Sequence, residues 1–192
     1  MHIDMEDFKV IQTKFRGRPE DRRSAVEEAC YDLLEQAGVA FDRAEHDPAM
    51  TIPMCHEVEA VLGTEICKNL FLCNRQKTEF YLLLIRGDKV FKTKYLSAQL
   101  GCARLSFAEG TEMERLLGVR PGSATVLGLM NDREGRVRLV IDRSVLSQER
   151  FACHPGQNTS TVSFSTKDLL EKVIPALRHE PTLVDLPEVE DG

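Results

Sequence analysis

Three segments of the chain place polar or glycine residues directly beside apolar ones, where a small ligand can approach both side chains and backbone. The first is Lys68-Asn69, the second runs from 118 to 125, and the third runs from 154 to 159 and begins with His154. A lysine ammonium can bind a phosphate or carbonyl oxygen, and a glycine-rich loop leaves N–H and C=O groups accessible. A histidine can donate a hydrogen bond or act as a base near neutral pH.

Each segment also has an ordinary structural explanation, which its local sequence taken alone favours. Lys68 fits a surface lysine whose aliphatic stem lies on apolar neighbours. The glycines of 118–125 fit simple turns, and His154, which precedes a proline, fits a hydrogen-bonded structural residue. The sequence shows no convincing serine, histidine and acid set and no metal cluster. Chemistry at these segments would therefore depend on positioning and charge.

Capping residues and hydrophobic periodicity predict the elements that hold these segments. Helices are predicted where a cap precedes an apolar stripe: from Ser24 to Gly38, from Thr51 to Gly63 with Pro53 in the first turn, at 93–100, at 111–117, and at 167–178 after Ser165 or Thr166. Pro175 is expected to kink or shorten the last helix. Strands are predicted at 39–44, 69–73, 79–86, 123–130, 136–141 and 160–164, with turns at 74–77 and 131–135.

This order of elements predicts a single α+β (mixed α/β) domain in which helices flank a mixed, largely antiparallel sheet. No repeat or low-complexity block interrupts it. Residues 1–23 are predicted to form an N-terminal arm and 24–180 the domain. Residues 181–192, rich in Pro, Glu and Asp, are predicted to form a loose acidic tail.

Composition narrows the protein class. Hydrophobic residues make up 42% and charged residues 29%, as in folded globular domains. The longest apolar runs fall short of the roughly 20 residues that cross a bilayer, and acidic Asp4, Glu6 and Asp7 do not fit a signal peptide, so a cytosolic location is expected. Six cysteines without a CxxC pair indicate neither a zinc site nor a dithiol motif. Reduced, mostly buried thiols are expected.

The formal net charge of −6 argues against indiscriminate binding of nucleic acid, so any RNA contact would be local. Two groups of basic residues are available for it: Arg86, Lys89, Lys92 and Lys94, and Arg133, Arg136 and Arg138. Each group taken alone favours the simpler interpretation, solvated charges on loops and strand faces.

Taken in order, the three segments resemble motifs of the YbaK/ProRS-associated editing-domain family. Its members carry a KNLFL-like strand start, a GVxPGS-type loop leading to GL(I/M)ND, and an HPxxNT loop before a strand and a terminal helix. In this sequence the motifs stand at 68–72, at 118–123 through 128–132, and at 154–159, in the same order and spacing. The resemblance covers about residues 24–178, and the chain looks most like free-standing prolyl-tRNA deacylases of the PrdX or ProXp-ala type.

The resemblance implies a sheet folded around a small pocket that receives the terminal aminoacyl-adenosine of a tRNA and hydrolyses its ester. It implies catalytic roles for Lys68, Gly122 and His154, and substrate contacts for Asn69, Ser123, Ala124, Thr125, Asn158 and Thr159. In that family a water held by the loop backbone, helped by the ribose hydroxyl, performs the attack without metal or cofactor. The implied partners are the acceptor end of mischarged tRNA(Pro) and prolyl-tRNA synthetase.

A synthetase cannot strongly reject a smaller amino acid, because one missing methylene changes binding by only about 1–3 kcal/mol. Selectivity would therefore come from the size of a second, smaller pocket that excludes the correct amino acid. Alanine attached to tRNA(Pro) is the expected substrate. The residues proposed for the pocket wall, each of which its local sequence explains better by core packing, are Ile66, Leu70, Leu127 and Leu129. The family's GxxxP loop ends in proline, whereas this chain has Val126, and that departure bears on substrate choice.

Three other functions remain open at this point. The first is a deacylase for cysteine, serine or a non-protein amino acid. The second is a non-catalytic module that binds aminoacyl-tRNA or a synthetase through the same pocket. The third is a sensor of a free amino acid or other small molecule.

Overall fold

The computed structural model describes residues 5–49 and 51–189, so residues 1–4 of the predicted arm, which include Asp4, residue 50 and the last three residues of the predicted tail lie outside it. The strands are β1 Phe15–Arg16, β2 Asp42–Glu45, β3 Lys68–Asn74, β4 Phe80–Ile85, β5 Leu105–Phe107, β6 Val137–Asp142, β7 Arg150–Cys153, β8 Ser160–Ser165 and β9 Thr182–Val184. The helices are α1 Ala25–Gln36, α2 Ile52–Leu62, α3 Thr93–Leu100, α4 Gly110–Leu117, α5 Arg143–Leu146, α6 Thr166–Asp168 and α7 Ile174–Ala176. A 3-10 helix at Val126–Asn131 and a π-helical turn at Leu169–Val173 complete the description.

The strands form two sheets. An antiparallel sheet has the order β1-β2-β8-β7, and a mixed sheet has the order β5-β3-β4-β6-β9. In the mixed sheet β5, β3 and β4 are antiparallel neighbours, whereas β6 runs parallel to both β4 and β9. The predicted α+β class is confirmed, with two sheets where one was expected.

Apolar side chains pack on both faces of the mixed sheet, and strand alternation decides which side each serves. Phe71 and Cys73 of β3 point into the main core, which α1 and the antiparallel sheet also line. Leu70 and Leu72 point to the opposite face, where α3 packs. A smaller cluster joins α2 to Phe8 of the N-terminal arm.

The predicted helix caps are confirmed where they depend on local sequence. The Ser24 hydroxyl accepts the N–H of Glu27 at the start of α1, and the Thr51 hydroxyl caps α2 in the same way. The glycines that end α2, α3 and α4 adopt the left-handed conformation: Gly63, Gly101 and Gly118.

The strand predicted at 123–130 is wrong. Residues 126–131 form a 3-10 helix, and the Thr125 hydroxyl caps it by accepting the N–H of Leu127 at 3.3 Å. Val126, Leu127 and Leu129 are all buried, so the segment has the continuous apolar pattern of a buried strand. The turn predicted at 131–135 consequently joins a helix to β6, which pairs parallel with β4.

Both ends of the chain are more ordered than predicted. In the arm, Phe8 is buried and β1 pairs with β2. In the tail, β9 pairs parallel with β6, so the expectation of a loose segment is wrong for 182–186. Leu186 is buried, and its N–H donates to an Asp142 carboxylate oxygen at 2.8 Å.

Among the predicted elements that are observed, two have an end that differs from the prediction by two or more residues. The strand predicted at 39–44 is observed at 42–45, and the helix predicted at 167–178 spans 166–176. That last helix widens before Pro175, where the Ile174 N–H bonds to the carbonyl of Leu169, five residues back. Proline lacks the N–H that a regular α-helix needs at that position. None of the helices in 5–49 and 51–189 has the length and apolarity to cross a membrane.

Candidate functional site

The first and third motifs begin at the junction of the two sheets. Ile66 and Ala152 form a parallel bridge, and the Cys67 N–H bonds to the Ala152 carbonyl at 3.4 Å. From this bridge both chains run in the same direction. Lys68 and His154, each two residues beyond it, therefore lie at the same end of the molecule.

The second motif is tied to the other two by side-chain contacts. The Asn69 side-chain oxygen accepts the backbone N–H of Val126 at 2.8 Å. The Thr125 hydroxyl hydrogen-bonds the thiol of Cys153, the residue before His154. Segments 57 and 28 residues apart in sequence thus meet in one place.

Gly122 lies against the third motif. Its φ is +89°, a conformation that L side chains rarely adopt, and a β-carbon built on it would lie 3.4 Å from the side-chain nitrogen of Asn158. Glycine is therefore favoured by the backbone conformation of the turn, whereas a β-carbon here would make an ordinary contact with Asn158. This is the position that the sequence singled out within the glycine-rich segment.

The loop leaves backbone donors unused. Within the part of the chain that the structure describes, the N–H groups of Gly122, Ala124 and Thr125 meet no acceptor. Thr125 is fully buried, and buried N–H groups are normally paired. Ser123, by contrast, is buried and uses its N–H in a turn to the carbonyl of Arg120. The exposed Gly122 and the partly exposed Ala124 can thus offer N–H groups to a ligand or water.

His154 is held as a neutral ring with one defined tautomer. Its Nδ1 lies 2.9 Å from the carbonyl oxygen of Ser160, which can only accept, so Nδ1 carries the proton. Burial lowers the pKa of His154 to about 4, against a smaller raising effect of this hydrogen bond. Nε2 therefore presents a lone pair near neutral pH and accepts, rather than donates, a hydrogen bond.

His46 was not identified from the sequence, yet it is connected to His154 through the hydroxyl of Thr161. Its Nδ1 donates to the Asp47 carbonyl at 2.7 Å, which leaves Nε2 to accept the Thr161 hydroxyl at 2.8 Å. The Thr161 oxygen in turn lies 3.4 Å from Nδ1 of His154. Only a lone histidine at the end of a predicted strand marks it in the sequence, which is too weak a signal. Burial lowers the pKa of His46 as well.

Lys68 faces away from the loop. It shares its sheet face with Leu70 and Leu72, whereas Asn69 faces the main core. The Lys68 ammonium donates to the backbone carbonyl of Lys89 at 2.8 Å. This bond uses one of its three donors and leaves two for a ligand at the end of the strand.

The remaining predicted contact residues lie on the same loops. Asn158 is partly exposed beside Gly122, and Thr159 is exposed while its carbonyl accepts the N–H of His46 at 3.0 Å. The proposed wall residues do not share one surface. Leu127 and Leu129 lie in the main core, Leu70 in the cluster under α3, and Ile66 beside α2.

A cavity of about 280 Å³ lies between α1 and the two ends of the second motif. Val26 and Cys30 of α1 line it on one side, and Gly118, Val119 and Gly128 line it on the other. Gly156 of the third motif packs on the same helix, since a β-carbon there would lie 2.5 Å from Val26. The predicted catalytic residues do not line this cavity.

The cysteine thiols near the site, those of Cys67 and Cys153, are not activated as nucleophiles. Burial raises the pKa of both Cys67 and Cys153 to about 12, so both stay protonated at neutral pH. All six cysteines are free, and four are buried, as predicted. Across 5–49 and 51–189, no three His, Cys, Asp or Glu side chains are grouped so that they could hold a metal ion.

Comparison with known proteins finds a matching family model and several relatives. The family model of the aminoacyl-tRNA editing domain matches residues 46–172. The chain is 29% identical over 151 residues to the prolyl-tRNA editing protein ProX of Acetoanaerobium sticklandii, covering 79% of this chain and 92% of that protein. It is 32% identical over 157 residues to the prolyl-tRNA synthetase associated domain-containing protein 1 of Mus musculus, covering 79% and 91%.

The fold is also found in solved structures. One is a crystal structure of a protein described as a candidate trans-editing enzyme for prolyl tRNA synthetase, which superposes with a TM-score of 0.64 at 16% identity. The match covers 88% of this chain and all of that one. At this identity the likeness concerns the fold.

Proposed function

The chain belongs to the aminoacyl-tRNA editing domain family, and on that premise we propose that it hydrolyses the ester of mischarged tRNA(Pro), with Ala-tRNA(Pro) as its principal substrate. Family membership makes it an aminoacyl-tRNA deacylase that edits prolyl-tRNA. The identity of the amino acid and the role of each residue are our proposals.

The observation that carries the proposal is the meeting of the three motifs around a loop with unused N–H donors. Gly122 and Ala124, which are not buried, each offer an N–H with no acceptor in the described residues. We assign these groups to the ester oxygen and the attacking water, because preorganised donors stabilise the charge that develops on a carbonyl oxygen. An aminoacyl ester is already activated, so orientation and such donors suffice for hydrolysis.

His154 and Asn158 are assigned to the ribose of the terminal adenosine. The lone pair on Nε2 of His154 accepts a hydrogen bond from a ribose hydroxyl, and the Asn158 amide beside Gly122 supplies a second contact. Lys68 is assigned to the phosphate of that nucleotide, since its ammonium keeps two unused donors at the end of β3. The neighbouring Asn69 holds the catalytic loop through Val126.

Alanine is proposed on physical grounds. A synthetase site that fits proline cannot strongly reject a smaller side chain, and a second site too small for proline removes the error. The carrier of this error is tRNA(Pro), and prolyl-tRNA synthetase is the proposed partner because one relative is named for association with it.

The test is deacylation of labelled tRNA(Pro) charged with alanine, cysteine, serine or proline, with substrate in excess over protein. We expect repeated turnover, fastest with alanine and slowest with proline. Lys68→Ala should slow it, while Lys167→Ala, an exposed lysine on α6, should not. Faster turnover of another amino acid would replace alanine in the proposal.

Two further outcomes would overturn the hydrolytic proposal. Protection of the ester against spontaneous decay, without turnover, would identify a binding module. Tight binding of free alanine that does not depend on RNA would identify a sensor.

A further inference from the structure

A groove with aromatic and basic walls lies between α3 and β5, outside the site described above. It has a volume of about 720 Å³, and Phe91 and Phe107 form part of its wall with ring centroids 6.3 Å apart. Phe107 is 60% exposed, which is unusual for so large an apolar side chain. The other lining residues are all polar or basic: Lys92, Thr93, Lys94, Ser97 and Arg104.

The groove carries positive charge that the protein does not neutralise. Lys92, Lys94 and Arg104 are exposed, and among the described residues none of them forms a salt bridge. The neighbouring Arg86 and Lys89 differ, since both are paired with carboxylates. The groove lining contains no acidic residue. In a chain of net charge −6, this surface is suited to an anionic partner.

The groove lies on the same face of the mixed sheet as Lys68. Phe107 is paired with Leu72 across the β3–β5 ladder, and Leu72 is four residues from Lys68, a separation of about 13 Å along the strand. Phe91 follows Lys89, whose carbonyl binds the Lys68 ammonium, by two residues. A chain that occupied the groove would thus lead toward Lys68 at the end of β3.

We propose that this groove binds the RNA strand that precedes the terminal nucleotide of the substrate. The inference rests on the proposed function and adds the surface that holds the acceptor strand. The exposed Phe107 ring stacks on a base, and the cations of Lys92, Lys94 and Arg104 bind the flanking phosphates. Aromatic stacking beside a basic track is how proteins hold single strands without reading their sequence.

The test measures the affinity of the full chain for uncharged tRNA(Pro) by fluorescence anisotropy over a range of salt concentrations. Phe107→Ala should weaken binding at least about fivefold, which is the lower limit for losing one stacked base. Replacing the three cations by alanine should reduce the slope of log K against log salt by about 2, since each contact to a single strand contributes about 0.7.

Matched controls separate the groove from a general loss of charge or apolar surface. Leu170→Ala removes an exposed apolar side chain elsewhere, and alanine replacement of Lys9, Arg16 and Lys167 removes three exposed cations outside the groove. The cation control uses Arg16, an exposed residue of β1, rather than Arg133, because Arg133 belongs to a basic group that the sequence offers for RNA contact. Both controls should then bind tRNA with the affinity and salt slope of the wild type. Because all these positions are exposed, thermal unfolding should show the variants folded.

Equal tRNA binding by the wild type and both groove variants would overturn the proposal. So would a wild-type dimer that Phe107→Ala converts to a monomer with unchanged RNA affinity, because the groove would then bind a second copy. Uncharged tRNA reports on the groove even if no mischarged tRNA is hydrolysed. A failure of the proposed function is thereby distinguished from a failure of this inference.

Discussion

The backbone N–H of Val126 donates a 2.8 Å hydrogen bond to the side-chain oxygen of Asn69. Val126 is fully buried, so this N–H has little access to water as an alternative acceptor. A proline at this position, as in the family's GxxxP loop, has no N–H to donate. In this chain the hydrogen bond to Asn69 of β3 fixes the end of the loop, whereas in the family pattern the proline ring restricts the backbone there.

The Asn69 bond predicts a specific pattern of stability. Asn69→Ala leaves the buried N–H of Val126 without an acceptor and should lower the free energy of unfolding by about 1–3 kcal/mol. Adding Val126→Pro to that variant removes the unpaired N–H and should recover part of the lost stability. Asn69→Asp keeps an acceptor and should cost less than alanine. Urea denaturation of the single and double variants measures the coupling, and strictly additive effects would contradict it.

Gly122 is predicted to serve the site more than the fold. Gly122→Ala forces a side chain into the left-handed region, at about 1–2 kcal/mol, and narrows the gap to Asn158. Gly135 is the matched control, because its φ is +68° and a β-carbon added there would meet nothing within 4 Å. Both alanine variants should lose similar stability, but only Gly122→Ala should lose deacylation rate, by about tenfold or more. Equal rates for the two variants would remove Gly122 from the site.

The parts of the fold predicted from the sequence are those encoded locally. Ser24, Thr51 and Gly63 mark helix ends because each acts on backbone groups within a few residues. The 3-10 helix at 126–131 has the continuous apolar sequence of a buried strand. Its first N–H, that of Val126, is bound by the side chain of Asn69, which lies 57 residues away in the sequence. β9 was not predicted because it depends on pairing with β6, which lies some 40 residues earlier in the sequence.

The candidate site was likewise predictable only in its locally encoded features. The motifs identify the loops around Lys68, Gly122 and His154, but not the orientation of their side chains. Strand alternation places Lys68 and Asn69 on opposite faces, and only the core clusters show which face is which. His46 supports His154 through Thr161, and that contact depends on pairing between distant strands.

Removing the cation from the buried ion pair of Lys89 and Asp142 is predicted to destabilise the fold strongly. The two groups lie 2.9 Å apart, and Asp142 is fully buried. Lys89→Met leaves that carboxylate without its cation and should lower the free energy of unfolding by about 3–5 kcal/mol. Lys172→Met breaks an exposed pair with Asp168 and should change it by less than about 1 kcal/mol. Similar losses in chemical denaturation would contradict the assignment.

His154 predicts a pH dependence of stability with a defined sign. Its pKa is about 4 in the folded protein and near 6.5 when unfolded, so the unfolded chain binds the extra proton between these values. The stabilising contribution is therefore complete above pH 6.5 and is lost as pH falls toward 4. The loss should reach about 2–3 kcal/mol.

The measurement is the free energy of unfolding of the wild type and His154→Asn, compared at each pH from 4 to 7.5. Asparagine keeps a donor for the Ser160 carbonyl but cannot titrate, so carboxylates that protonate in both proteins cancel in the difference. His56→Asn, at an exposed position on α2, is the control and should follow the wild type. If the difference between wild type and His154→Asn stays constant across the range, His154 is not held neutral by burial, and its assignment as an acceptor for the ribose fails.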